Sequence, residues 1–318
     1  VNGVYKQSKF NGKLVIDDKN LQLEFNGLAD LSQKVNTFDF VANVDYANLK
    51  ALNFYNRDEQ SEFSGDVEMK MNANTVDDAV GYIQFKNTTY INENDTYTFE
   101  DFEINSQFID NEHIIDINSP ELIEGSLSGD FKFKDLELLF ENSLKSIYTN
   151  YEPNKIEGNQ YIDFNFKIYN KIVEVFLPEV ELAPNTFIKG RVESNEKEFE
   201  LTFKSPKIKL LEYFANEIEI QVDNNNPLFN TYVEIDSINT KVYNISKFNL
   251  INVTLNDTLY MRSEFKGGKR NDDLYDLSFY HTIDEDNNSV LGFKKSDVTF
   301  KGNNWHINED QNKFNKII

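Results

Sequence analysis

Apolar and polar residues alternate along most of this chain, and the alternation predicts strands. In YIDFNFKIY at 161–169, Ile162, Phe164, Phe166 and Ile168 fall on one face while Asp163, Asn165 and Lys167 fall on the other. A period of two is that of an extended strand with one dry side and one wet side. The same reading covers FDFVANVDY at 38–46 (Phe38, Phe40, Ala42, Val44) and EFELTF at 198–203 (Phe199, Leu201, Phe203). It also covers EIEIQV at 217–222 (Ile218, Ile220, Val222) and LYDLSFY at 274–280 (Tyr275, Leu277, Phe279). LQLEF at 21–25, TYTFEDFEI at 96–104 and DFKF at 130–133 carry a weaker form of the pattern.

Turns between these runs are written in Asn, Asp and Gly, which tolerate the positive φ of tight hairpins. DDKN at 17–20, NENDT at 92–96, DNNNP at 223–227, KGGKRNDD at 266–273 and DEDNN at 284–288 are the clearest. Turns at this spacing predict a long antiparallel meander of about 18 to 20 strands. At ~4.8 Å per strand such a sheet would extend on the order of 90 Å. Open twisted sheets rarely exceed about 10 strands without curling or splitting. The expectation is therefore that the sheet rolls its dry face inward.

Two segments interrupt the alternation. In 135–149, DLELLFENSLKSIYT, residues Leu136, Leu139, Phe140, Leu144, Ile147 and Tyr148 recur mostly at i, i+3, i+4 and i+7, predicting one amphipathic helix. KIKLLEYFA at 207–215 predicts a further helical turn or two. No composition shift divides residues 1–318, so a single segment is expected, and a start at Val1 without Met reads as a piece of something longer.

Charge and composition narrow the functions. With 54 acidic and 32 basic residues the net charge is −22, which argues against nucleic acid as a partner. The acidic surplus reads as a solvated outer face that keeps a β-rich chain from aggregating. Aromatic residues make up 14%, enough for a folded core rather than an acidic disordered chain. There is no Cys, which excludes disulfides, thiol catalysis and cysteine-ligated metal. No apolar run approaches the ~18 to 20 residues of a spanning helix.

Catalytic signatures fail one by one, and the expectation is a protein that is not an enzyme, without cofactor or metal. GSLSG at 125–129 has Leu127 where a nucleophile elbow needs Ser. His113, His281 and His306 stand far apart in sequence, with no second ligand at metal-binding spacing. A calcium loop starting at Asp284 has Ser289 where Gly is needed and Lys295 in place of the bidentate Glu.

The segments 47–90, INSPELIEGSLSGDFKF at 117–133 and GRVESNEKEFELTFKSPKIK at 190–209 resemble the TamB family, the translocation and assembly module subunit of AsmA-like type, in its Bacteroidota form. The likeness extends over essentially the whole chain as strand, Gly and strand phrases. It implies an all-β fold, a long meander curled into an elongated U-shaped β-taco groove with an apolar interior. It implies a periplasmic protein of a Gram-negative bacterium, anchored in the inner membrane, with a TamA-like outer-membrane partner. Both contacts would lie in parts outside this segment.

The function expected on that footing is a bridge-like lipid conduit between the membranes, sliding phospholipid acyl chains along the groove. The lining would be Phe38, Phe40, Ile162, Phe164, Phe166, Ile168, Phe199, Leu201, Phe203, Ile218, Ile220, Val222, Tyr275, Leu277 and Phe279. The competing expectation within the same residues is that they pack on each other as a closed core. A chaperone or scaffold assisting outer-membrane protein assembly, through an exposed sheet edge, is the alternative function. An outer-membrane barrel is disfavoured by the amphipathic helix inside the chain, and a β-helix by the lack of a short repeat.

Overall fold

A computed structural model describes residues 2–147, 153–194, 198–256, 258–284, 286, 288–309 and 315–317. They form two compact units, one of residues 1–129 with 168–178 and the other of residues 130–167 with 179–318.

The first unit is a run of nine strands: β1 (Asn2–Lys6), β2 (Lys9–Asp18), β3 (Leu21–Asp30), β4 (Thr37–Asn48), β5 (Ser61–Asn72), β6 (Val80–Asn92), β7 (Thr96–Ile109), β8 (Glu112–Ser119) and β9 (Ile123–Asp130). Each strand pairs antiparallel with the next, with no crossover. A turn outside the clusters singled out in the sequence joins β7 and β8 through Asp110 (φ 51°) and Asn111 (φ 71°). Two successive positive φ values match the right-handed twist of a hairpin, which suits Asp and Asn at both places. A close approach fixes one glycine. A Cβ on Gly27, whose φ is +147°, would run into the backbone of Asp39 and Phe40 on β4. Behind them, α2 (Asn170–Phe176) belongs to this unit and follows Tyr169, whose amide bonds the carbonyl of Leu122 at 3.0 Å.

The second unit holds α1 (Leu136–Lys145) and the strands β10 (Tyr161–Ile168), β11 (Val180–Leu182), β12 (Thr186–Glu193), β13 (Phe199–Leu210), β14 (Tyr213–Asp223), β15 (Thr231–Asn239), β16 (Ile245–Leu255), β17 (Thr258–Gly267), β18 (Asp273–Ile283), β19 (Ser289–Phe293), β20 (Ser296–Phe300), β21 (Asn303–Ile307) and β22 (Asn315–Ile317). The meander runs unbroken from β13 to β18. On one side of β13 the neighbouring strand is split into β11 and β12, and on one side of β18 it is split into β19 and β20.

The expected curled groove is not what these strands build, and the β-taco fold is corrected to open antiparallel sheet. In the first unit no pairing among the described residues joins β1 to β8 or β9. On β1 the consecutive residues Val4 and Tyr5 point to opposite faces and are 68% and 74% exposed, so neither face is covered there. Aromatic rings meet their neighbours on adjacent strands rather than an opposite wall. Phe10, Phe25 and Phe40 follow one another across β2, β3 and β4 at 5.8 and 4.7 Å, and Phe248, Phe265 and Tyr275 do so across β16, β17 and β18 at 6.0 and 4.4 Å. Such ladders shield each ring with the next one along the sheet. The face stays half-exposed without curling.

The densest core lies in the second unit, under α1. Leu139 on α1, Ile162 on β10, Val192 on β12 and Phe199 on β13 are all under 2% exposed. Phe140 of α1 meets Phe164 of β10 ring to ring at 5.6 Å. Gly190 leaves room there, since a Cβ would press into the Phe164 ring. Polar side chains tether the helix over this core. Asn142 donates to the carbonyl of Asn154 and accepts from its amide, both at 2.9 Å, and Gln160 donates to Asp135 at 2.7 Å. Across the described residues buried polar side chains are as numerous as buried apolar ones.

Three local expectations change. The helix expected over 135–149 is α1, Leu136–Lys145, with Leu144 half-exposed; Tyr148 lies outside the described residues. The helical turn expected at 207–215 is instead the β13–β14 hairpin, with Leu210 opposite Tyr213 and Leu211 at φ 55°. Ladder bonds on both sides of β13 and β14 outweigh the helical spacing of a short apolar cluster. DFKF at 130–133 closes β9 and enters a 3₁₀ turn at Phe133–Asp135.

Candidate functional site

Of the fifteen residues expected to line a lipid groove, Ile162, Phe164, Phe199, Ile218 and Val222 are buried in the protein. Phe38, Phe40, Phe166, Ile168, Leu201, Phe203, Ile220, Tyr275, Leu277 and Phe279 are half-buried on sheet faces. All fifteen lie on strands, in β4, β10, β13, β14 and β18. What the strands do not make is a continuous curved apolar channel, and the lipid conduit falls with it. Only the five buried residues pack as a core; the other ten are neither sealed nor gathered into a channel.

A concave site with largely apolar walls lies in the first unit, between α2 and the β6–β7 hairpin. It is a cleft of about 340 Å³ walled by Tyr90, Tyr97, Phe99, Phe102, Ile172 and Phe176, with Leu122 buried at its side. Asp95, Lys171 and Glu174 also line it. Mostly apolar walls with a few convergent polar groups are the ordinary form of a ligand site. The rings are held in order: Tyr90 and Tyr97 stack at 6.4 Å, and Phe99 meets Phe102 edge-on at 6.2 Å.

Strand β7 supplies most of this wall, while α2 supplies the lid, and neither α2 nor the cleft is visible in the residue pattern. Asn-Lys-Ile-Val-Glu-Val-Phe carries three β-branched residues and no Ala or Leu, a poor helix former by propensity. Tertiary bonds hold it. Lys171 donates to the carbonyl of Thr98 at 3.0 Å and pairs with Glu121, Tyr97 donates to the carbonyl of Glu174 at 3.2 Å, and Arg57 donates to the carbonyl of Val175 at 3.1 Å. Arg57 also lies 4.8 Å above the Phe176 ring. The one signal in the sequence was TYTFEDFEI, whose aromatic positions 97, 99 and 102 break strict alternation.

Behind Tyr90 sits a buried carboxylate. Asp58, 3% exposed, accepts from Tyr90 at 2.6 Å, Arg57 at 2.9 Å and Asn92 at 3.4 Å. Burial works to raise its pKa, but these donors prevail and hold it below the usual carboxylate range. The same burial, with Asp58 opposite, pushes the Tyr90 hydroxyl up to about 12. Glu121 is held low by Lys171 and by the Glu100 amide. All these perturbed groups are matched to fixed partners in the protein.

Two other constellations have structural partners too. Ser106 and His113 are buried 2.7 Å apart, a pairing that superficially suggests nucleophile and base. However, the Ser106 hydroxyl donates to the Ala79 carbonyl at 2.7 Å, so its proton is already committed and His113 is the donor to Ser106. Burial lowers the His113 pKa from 6.5. The neutral ring therefore stabilises the fold in full above about pH 6.5, and that share is lost as pH falls toward the lowered folded value. Urea midpoints are expected to drop between pH 7 and pH 5, and His113→Gln is expected to flatten that step. In the second unit, a hollow of about 520 Å³ is lined by Lys247, Arg262, Glu264, Tyr275, Asp276 and Asp297 among others. Most of its charges pair with near neighbours, Arg262 with Asp276 and Glu264 and Lys247 with Asp236.

Among the described residues no group of His, Asp and Glu has the makings of a metal site, and no helix is long and apolar enough to cross a membrane. No family model, curated protein or solved structure matches the chain.

Proposed function

We propose that this chain is a non-catalytic binding segment, a β-scaffold whose first unit presents the cleft under α2 to a ligand or to a side chain of a partner. The observation that carries this reading is the cleft itself: an aromatic-walled hollow of about 340 Å³ roofed by a helix that tertiary bonds, not propensity, keep in place. That size suits a group of roughly ten heavy atoms. The perturbed ionisable groups around it have fixed structural partners, which favours binding over proton transfer. The resemblance to the TamB family is part of the same proposal, supported by the meander of consecutive antiparallel strands. With it come a periplasmic setting, an inner-membrane anchor and a TamA-like partner for the full-length protein.

Ligand-observed NMR with three flat probes of equal size, benzamide, benzamidine and benzoate, tests the cleft. Saturable binding of at least one probe is expected, and Val175→Trp, at a half-buried lining position of α2 whose only bond to Arg57 is through its carbonyl, is expected to abolish it by filling the hollow. No binding of any probe, or binding indifferent to Val175→Trp, would overturn the reading. Protease accessibility of the full-length protein in intact and outer-membrane-permeabilised cells tests the compartment: protection in permeabilised cells argues against the periplasm.

A further inference from the structure

Resting on the cleft as a binding site, we infer that its occupant is a cation on an apolar stem, the basic side chain of a polypeptide partner. The charges at the cleft do not balance internally. Lys171 is spent on Glu121 and the Thr98 carbonyl, and Arg57 on Asp58 and the Val175 carbonyl. Asp95 and Glu174, which also line the hollow, form no ion pair among the described residues. The Asp95 carboxylate accepts only the Thr96 amide at 2.7 Å, and Glu174 accepts from the Asn170 side-chain amide. Two negative charges without a cation thus face a pocket of tyrosine and phenylalanine rings.

Aromatic faces carry negative electrostatic potential and attract cations, guanidinium above all. The protein already uses this contact at the same place, where Arg57 covers the Phe176 ring while donating to a backbone carbonyl. A long apolar stem ending in a planar cation fills both requirements of the cleft, the ring walls along the stem and the two carboxylates at its head. An anion would face Asp95 and Glu174 uncompensated. A purely apolar group would leave both carboxylates partly desolvated with nothing in return. The net charge of −22 draws a basic partner toward the surface before the cleft selects among its side chains.

The three-probe titration separates this inference from the cleft itself. Benzamidine is expected to bind about tenfold tighter than benzamide, with benzoate weakest. Asp95→Asn combined with Glu174→Gln is expected to bring benzamidine and benzamide to within about twofold, and added salt to narrow the gap in the wild type. Acetyl-phenylalanyl-arginine amide is expected to outbind its citrulline counterpart by a similar factor, and Val175→Trp to abolish its binding. Equal binding of benzamidine and benzamide overturns the cationic occupant while leaving the cleft intact. Benzamidine binding without arginine-peptide binding overturns the polypeptide source. No binding of any probe removes the cleft as a site and this inference with it.

Discussion

Phe199→Ala is expected to destabilise the second unit by about 3 to 5 kcal/mol, the usual cost of removing a fully buried phenylalanine. The side chain is 1% exposed and stands opposite Val192, itself fully buried, in the β12–β13 pairing. The deletion would leave a hollow beneath α1, where Leu139 and Ile162 are equally inaccessible and the helix is tethered by Asn142 and Gln160. Close-packed surroundings relax only partly into such a void, so the lost transfer energy and the lost contacts add. Urea titration followed by circular dichroism is the measurement. Leu201→Ala, two residues along the same face but half-exposed, serves as the internal comparison and is expected to cost markedly less. Equal small effects at both positions would mean that α1 does not seal this core, and an open apolar surface would again be in play.

Asp58→Ala is expected to cost the first unit about 1 to 3 kcal/mol, and with it the shape of the cleft. Its carboxylate is the common acceptor for the Tyr90 hydroxyl, the Asn92 amide and Arg57. Alanine leaves the Asn92 amide without this acceptor and the Tyr90 hydroxyl with only the more distant Ser61 hydroxyl at 3.3 Å, in a largely buried setting where a poorly paired donor keeps much of its desolvation cost. Arg57, almost half exposed, can turn to water. Tyr90 forms a cleft wall and stacks on Tyr97, so probe binding should weaken together with stability. Asp58→Asn keeps an acceptor for Tyr90 and should lose less of both.

Acid should reveal the same group. The folded pKa of Asp58 lies below its usual 3.8, so its stabilisation is present above that value and fades as pH falls toward the lower folded one. Asp30, held down to about 2 chiefly by the Ser32 hydroxyl and by Lys9, should behave likewise in its own part of the first unit. Asp58→Asn should remove its share of the acid-induced loss. An unchanged acid profile in that variant would mean the carboxylate is not ionised in the fold.

The alternation of apolar and polar residues determined the strands, because a pleated backbone turns every second side chain to the same face whatever surrounds it. Phe164 and Ile162, Phe199, Ile218 and Val222 were legible as one-sided for that reason alone. Hairpins were legible where Asn and Asp cluster, as in DDKN at 17–20 between β2 and β3 and NENDT at 92–96 between β6 and β7, because these residues accept turn backbone with little strain; the two-residue turn at Asp110 and Asn111 was too short to stand out. What covers an apolar face is not encoded in its period. Ile162 and Phe199 are sealed beneath α1, while Phe38 and Tyr275 remain half-exposed in aromatic ladders, and the four positions look alike along the chain. Helix α2 shows the same limit from the other side. Its β-branched residues disfavour a helix locally, and bonds to Thr98, Tyr97, Glu121 and Arg57, distant in sequence, make it one. Strand identity was a local property and was set by local sterics. The buried core, the open sheet and the cleft depend on contacts between segments far apart in the chain, and only the tertiary structure decided them.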